Sequence, residues 1–274
     1  MESWSHPNPQ AAVPGEIVGI YPFELSPEES ELVANHLLAA ERDFPISHYM
    51  KEKYFIQLLE SEALSAQRLD LYRDDALEGL YPEANQHDDP QFIQRMNAMR
   101  DRPAFLKSQE IHRTHCYAHC WFGIPQETAA MWEDYGDEGK GVCIVSSTHR
   151  LQRAVFSEPN IAYELGKVTY WPEDKQLPDL HSSTVMFRKQ PKFSDENEVR
   201  LLCQIKMEHL PKDSEGFLLP CPERLTVRID LSMLIAGIIL GPSMLSESQQ
   251  KLIESAHAKI PQAKVLRSRF DMRP

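Results

Sequence analysis

The sequence predicts an α+β fold: one mixed domain with a central, mostly antiparallel sheet and flanking helices. Three observations carry this expectation. Short apolar strand-like runs recur along the chain, as in GVCIVSS (141–147), LTVRID (225–230) and AKVLRSRF (263–270). Helical periodicity interrupts them irregularly, in KEKYFIQLLESE (51–62) and SESQQKLIESAHAKI (246–260), rather than after every strand. No internal repeat and no compositional break divides the chain.

Each element follows in order. Residues 1–16 are rich in Pro, Ser and Asn and read as a tail, with the domain spanning 17–274. SPEESELVANHLLAAER (26–42) opens with a capping box of Ser26 and Glu29, and Pro27 stands at the first helical position, so a helix is expected. A strand (44–50), a helix (51–62) with Phe55, Leu58 and Leu59 on one face, and a strand (64–69) come next. Residues 70–91 read as a loop with a helical turn, and 91–110 as mostly helical, interrupted at Pro103. HRTHCYAHCWFG (112–123) alternates like a strand. TAAMWEDYG (128–136) is a short helix ending near Gly136, followed by the strand 141–147 and a short helix 149–156. A strand 161–171 bends at Gly166, and 172–186 is loop-like. FSDENEVRLLCQIKM (193–207) passes from a charged start into a strand. Two further strands precede the helix 246–260, which carries a Ser-x-x-Gln cap, and a last strand closes the domain.

The composition, 42% hydrophobic and 26% charged over 274 residues, suits a globular protein able to bury a core. A net charge of −12 repels phosphates and argues against sequence-independent nucleic-acid binding. The longest apolar run, MLIAGIIL (233–240), is too short to span a bilayer, so no membrane partner is expected. The N-terminus lacks a basic start and an apolar run, which points to the cytoplasm. There the five irregularly spaced cysteines are expected to be free thiols.

Several motifs invite chemistry. His112, His115, Cys116, His119 and Cys120 would pair for zinc on a helix. On a strand, Cys116 and Cys120, or His115 and His119, stand about 13–14 Å apart, so no metal is expected. Cys120 as a nucleophile lacks a base at a telling spacing and reads as a packed small side chain. GxGxxG, GxxxxGK[ST] and GxSxG are absent, and GDEGKG (136–141) reads as a turn. Glu196-x-Glu198-x-Arg200 is expected to open a strand, which would aim all three side chains one way and let Glu198 orient Arg200.

Three blocks carry a family resemblance. CW-x5-ET-x2-MW-x2-Y-x5-GV-x-I (Cys120 to Ile144), LSAQRLDLYRDDALEG (64–79) and RKQPKFSDENEVRLL (188–202) occur in order and at fitting spacing. Together they make the chain resemble the bacterial domain-of-unknown-function family 2971 over about residues 46–269. Thr128 stands where that family's pattern has serine. The resemblance implies a polar cleft shared by Glu78, Trp121, Glu127, Trp132, Tyr135, Lys189, Glu196, Glu198 and Arg200. By analogy with ADP-ribosyltransferases it implies a nucleotide-directed enzyme using NAD as substrate. Tyr49, Trp121 or Tyr135 would stack on the nicotinamide, Glu198 would be the late catalytic glutamate, and Arg200 or Lys189 would meet a phosphate. The family's usual company implies an alternative, a non-catalytic sensor or partner-binding protein in bacterial phage defence. A third reading is a magnesium- or manganese-dependent hydrolase built from Asp74, Glu78, Glu127 and Glu196.

Overall fold

The fold is seen in a computed structural model, which describes residues 43–72, 75, 77–87, 111–123, 127–177, 183–214, 218–219, 221–268 and 270. The tail 1–16, the capped helix 26–42, the helical reading of 91–110 and Asp74 lie outside these residues.

The described chain is α+β. Its strands are β1 (Pro45–Met50), β2 (Ala63–Arg68), β3 (Cys116–Phe122), β4 (Val142–Ser147), β5 (Ile161–Lys167), β6 (Thr169–Tyr170), β7 (Arg188–Lys189), β8 (Glu198–Ile205), β9 (Arg224–Arg228), β10 (Gly237–Leu240) and β11 (Lys264–Arg267). The helices are α1 (Glu52–Ser61), α2 (Glu83–His87), α3 (Ala129–Asp134), α4 (Thr148–Ala154), α5 (Leu231–Leu234) and α6 (Ser246–Lys259). Nine strands form one sheet with the path β11-β10-β4-β1-β3-β2-β9, while β8 joins β3 and β5 joins β8. Only the β10–β11 pair of this sheet is parallel; β6 and β7 make a separate parallel pair.

The strand β3 organises the sheet. One edge pairs along its whole length with β8, from Cys116 opposite Gln204 to Phe122 opposite Glu198. The other edge is shared: β2 pairs at Tyr117 and Ala118, and β1 at Phe122. Period-two alternation then sorts the side chains. Tyr117, Trp121, Val199, Leu201 and Cys203 face the large core, with Phe55, Leu58 and Leu59 of α1, Leu151 of α4 and Leu252 of α6. Each such side chain gains about 1.5–3 kcal/mol by leaving water. Cys116, Ala118, Cys120 and Phe122 face the other way, beside Glu198, Arg200 and Leu202. That face is covered by smaller apolar groups, Leu69, Leu177, Val185, Met186 and Phe187 at one end and Tyr49, Met131 and Trp132 at the other. Charged side chains therefore sit between two apolar patches.

Local details explain and correct the sequence reading. Glu62 ends α1 in the left-handed conformation (φ 50°), which releases the chain directly into β2. Gly166 lies inside β5, opposite Arg200, where a Cβ would stand 2.7 Å from the Phe187 ring; the single strand expected over 161–171 is instead two, β5 ending at Lys167 and β6 starting at Thr169 in a separate sheet. The Ser-x-x-Gln cap of the late helix is not used. Leu245 is the N-cap without a side-chain bond, and Gln249 instead donates to the Met244 carbonyl at 3.0 Å. Glu196 and Glu198 do not share a strand. Glu196 ends a 3-10 turn (Pro191–Glu196), Asn197 takes a left-handed conformation (φ 41°), and β8 starts at Glu198. Asparagine tolerates that conformation better than most residues. Its Nδ2 donates to the Gly123 carbonyl at 2.9 Å, which fixes the kink against the end of β3.

Candidate functional site

Arg200 is the centre of the buried polar layer. It stands mid-strand in β8, between Cys120 of β3 and Gly166 of β5, and is fully buried. An arginine there must have partners, because an unpaired buried cation is far costlier than a buried polar group. Its Nε donates to Glu198 Oε1 at 2.8 Å, Nη2 lies 2.6 Å from Glu78 Oε1, and Nη1 donates to the Met186 carbonyl. Glu78 arrives on a tight turn. Its amide donates to the Asp75 carbonyl at 3.1 Å, and the next residue, Gly79, has φ +72°. Only glycine adopts that angle without strain.

The network continues outward. Lys189 Nζ donates to Glu198 Oε2 at 3.2 Å and to Glu196 Oε2 at 2.5 Å, and it lies 4.7 Å from the centre of the Phe193 ring. Tyr135 donates its hydroxyl proton to Glu196 Oε1 at 3.2 Å. The sequence Glu78–Arg200–Glu198–Lys189–Glu196–Tyr135 is thus one unbroken chain of contacts. It runs from side chains with no exposure to Tyr135, which is 40% exposed. The site has a sealed ionic base and an accessible rim.

The acids differ in charge behaviour. Burial pushes Glu198 upward, but Arg200 and Lys189 outweigh it and hold the carboxyl down at about 2. Glu78 moves the other way: burial raises it, the Glu198 charge adds to the rise, and the pull of Arg200 does not cancel both. Its Oε2 has no hydrogen-bond partner among the described residues. If all five were ionised, Glu78, Glu196 and Glu198 would face two cations. The surplus negative charge falls on Glu78, the group most easily protonated. Burial, reinforced by Glu198, drives the Cys120 thiol far above its ordinary range, and Tyr72 rests its hydroxyl 3.4 Å from that sulfur. A thiol so placed is a poor nucleophile.

Glu127, Trp132 and Tyr49 form an adjoining cluster rather than part of the ionic chain. Thr128 caps α3 by accepting from the Met131 amide at 3.3 Å, a task serine or threonine can do. Glu127 accepts from Trp132 Nε1 at 3.0 Å and from the Ser268 hydroxyl, tying α3 to the end of the chain. The Trp132 ring meets Tyr49 edge-on at 4.9 Å, Tyr49 meets Phe122 at 5.9 Å, and Phe122 meets Tyr135 at 5.0 Å. A ladder of rings therefore reaches the rim.

Trp121 stands apart. It is buried on the opposite face of the sheet, against His48 and His119, so it cannot share a wall with Tyr135. The carboxylates of the hydrolase reading do not gather either. Glu78, Glu127 and Glu196 bind separate partners, and no group of three acids among the described residues has metal-ligand spacing.

Sequence reasoning passed over residues that hold the site together. Tyr170 accepts from the Glu198 amide at 2.8 Å. Asp75 accepts from Gln190 Nε2 at 2.9 Å and so joins the Glu78 turn to the strand that carries Lys189. Asp75 stands in the block LSAQRLDLYRDDALEG (64–79), so its block was visible and its role was not. Tyr170 gave no signal, because its place depends on β6 pairing with β7.

Residues 131–201 match the model of a family described as protein of unknown function (DUF2971). Over that segment the chain is similar to DUF2971. The matched segment contains Trp132, Tyr135, Lys189, Glu196, Glu198 and Arg200, hence the rim and most of the ionic chain; Glu78, Tyr49, Trp121 and Glu127 lie outside it. No curated protein and no solved structure matches the chain.

Proposed function

We propose that this chain is a nucleotide-directed enzyme of ADP-ribosyltransferase-like chemistry, with NAD as its substrate, working at the rim of the ionic site. The observation that carries the reading is the Tyr135–Glu196–Lys189 triad on its sealed base. A ring for stacking, a carboxylate and an ammonium group stand within direct contact of one another. In such chemistry the bond from nicotinamide to the ribose breaks, nicotinamide leaves with the electron pair, and an acceptor forms the new bond at the same carbon. A carboxylate beside that carbon stabilises the developing oxocarbenium charge. Glu196 suits this role better than Glu198. Both oxygens of Glu198 are engaged by cations at 2% exposure, so Glu198 serves to position Lys189 and Arg200.

The test is NAD turnover by the purified full-length chain, followed by chromatography of nicotinamide. Glu196→Gln should lower turnover about 100-fold, the scale of one lost electrostatic contact in a transition state, with an unchanged circular dichroism spectrum. Full activity in that variant, or no binding of NAD by calorimetry, sinks the proposal. One observation favours a second reading, a non-catalytic nucleotide sensor with a protein partner, as in phage defence. Most of the network is sealed, as in a scaffold. Nucleotide-dependent thermal stabilisation without turnover, together with a stable complex in pull-down, would select it.

A further inference from the structure

At the other end of β3, a single turn gathers three metal-binding side chains. Residues 111–113 are helical, and the amides of Thr114 and His115 donate back to Ile111 at 3.0 Å and His112 at 3.3 Å. The backbone coils once and then extends at Cys116. Coiling stacks the His112 and His115 rings at 4.9 Å and 25°. The first strand residue, Cys116, completes the group: one ligand atom from each of the three lies within 4.8 Å of the others. Three atoms so spaced surround a point no more than about 2.8 Å from each, so small side-chain rotations reach the ~2.0–2.3 Å of zinc–nitrogen and zinc–sulfur bonds.

A second, independent observation points to a ligand. His115 is 3% exposed, and its Nε2 has no hydrogen-bond partner among the described residues. Its bond to the Ile111 backbone therefore falls to the other ring nitrogen, which leaves the Nε2 lone pair free. An imidazole held by a carbonyl on one side and bare on the other is the usual arrangement of a metal ligand. The Gln204 amide nitrogen donates to His112 Nε2 at 2.8 Å, which leaves Nδ1 of His112 to face a metal, and Gln204 is the cross-strand partner of Cys116. The strand β8 thereby supplies an outer shell to the group.

We propose that His112, His115 and Cys116 bind one zinc ion. Two imidazoles and a thiol suit zinc and exclude magnesium and calcium, which take oxygen ligands. On binding, the Cys116 thiol gives its proton to solvent as the zinc–sulfur bond forms. Water takes the fourth position. The ion fastens the 111–115 turn to the start of β3 and so is structural. It lies some 13 Å along the strand from Cys120 and the ionic network, at about 3.4 Å per residue. The strand geometry that separates Cys116 from Cys120 leaves this trio intact, because Cys116 alone of the three belongs to the strand.

The test uses the full-length chain, expressed with zinc and purified without a histidine tag. Elemental analysis should find about one zinc per chain, and His112→Ala, Cys116→Ser or both should weaken zinc binding at least about 10-fold. His112 is only partly buried, so its variant keeps the fold readable even if Cys116→Ser does not fold. Cobalt added to the metal-stripped protein should give a thiolate-to-cobalt absorption band that is weakened in His112→Ala. Wild-type protein that takes up neither zinc nor cobalt overturns the proposal, as does uptake that is unchanged in His112→Ala and in any folded Cys116→Ser protein.

Discussion

Glu196 and Glu198 are two residues apart, yet they do opposite work. Glu198 lies under the sheet surface with a cation on each oxygen, whereas Glu196 sits at the rim and shares Lys189 with it. Removing one partner from a buried pair leaves an uncompensated charge, which costs about 3–5 kcal/mol; a pair nearer the surface costs less. Glu198→Gln should therefore lower the urea midpoint strongly, and Glu196→Gln, whose side chain is 17% exposed beside Lys189, should lower it less while cutting turnover about 100-fold. Equal destabilisation by the two variants would contradict the division into base and rim. The sequence made both acids visible but suggested a common face for them, because it did not show that Asn197 turns left-handed between them.

At the scale of elements, α3 is held by its cap and by Glu127. Thr128 differs from the serine of the family pattern only by a methyl group, and its bond to the Met131 amide needs only the hydroxyl. Thr128→Ser should leave stability within about 0.5 kcal/mol, while Thr128→Ala should cost about 1 kcal/mol of unfolding free energy, read by urea titration. A Ser variant as damaged as the Ala variant would show that the methyl packing, not the cap, matters. Most elements were legible in the sequence: α1 shows its three buried residues at helical spacing, and β3 shows its alternation. Gly166 has a second reason to be glycine, which the sequence did not show. Glycine in a strand marks either a bend or a close neighbour, and here the neighbour is the ring of Phe187, 21 residues away in sequence.

For the whole molecule, buried histidines set the response to acid. Burial lowers His48 from 6.5 to about 4 and pushes His119 well below its ordinary value, so the unfolded chain binds their protons at a pH where the folded chain does not. Stability contributed by these groups is present above 6.5 and is lost as pH falls toward 4. Glu198, lowered from 4.5 to about 2, adds a second loss between those values, while Glu78, raised by burial, gives a little back on protonation. Thermal midpoints should fall steadily from pH 7 to pH 4, and His48→Phe should flatten the upper part of that slope. A flat profile over that range would contradict the buried neutral state. The sequence by itself determined the fold class, most strand and helix positions, and the set of polar residues that does not belong in an apolar core, because periodicity and local propensity act over a few residues. Only the tertiary structure decided which of them meet. The face of the sheet that takes Glu198 and rejects Trp121, and the arrival of Glu78 and Tyr170 beside β8, depend on strand pairing, and that pairing is set by contacts far apart in the chain.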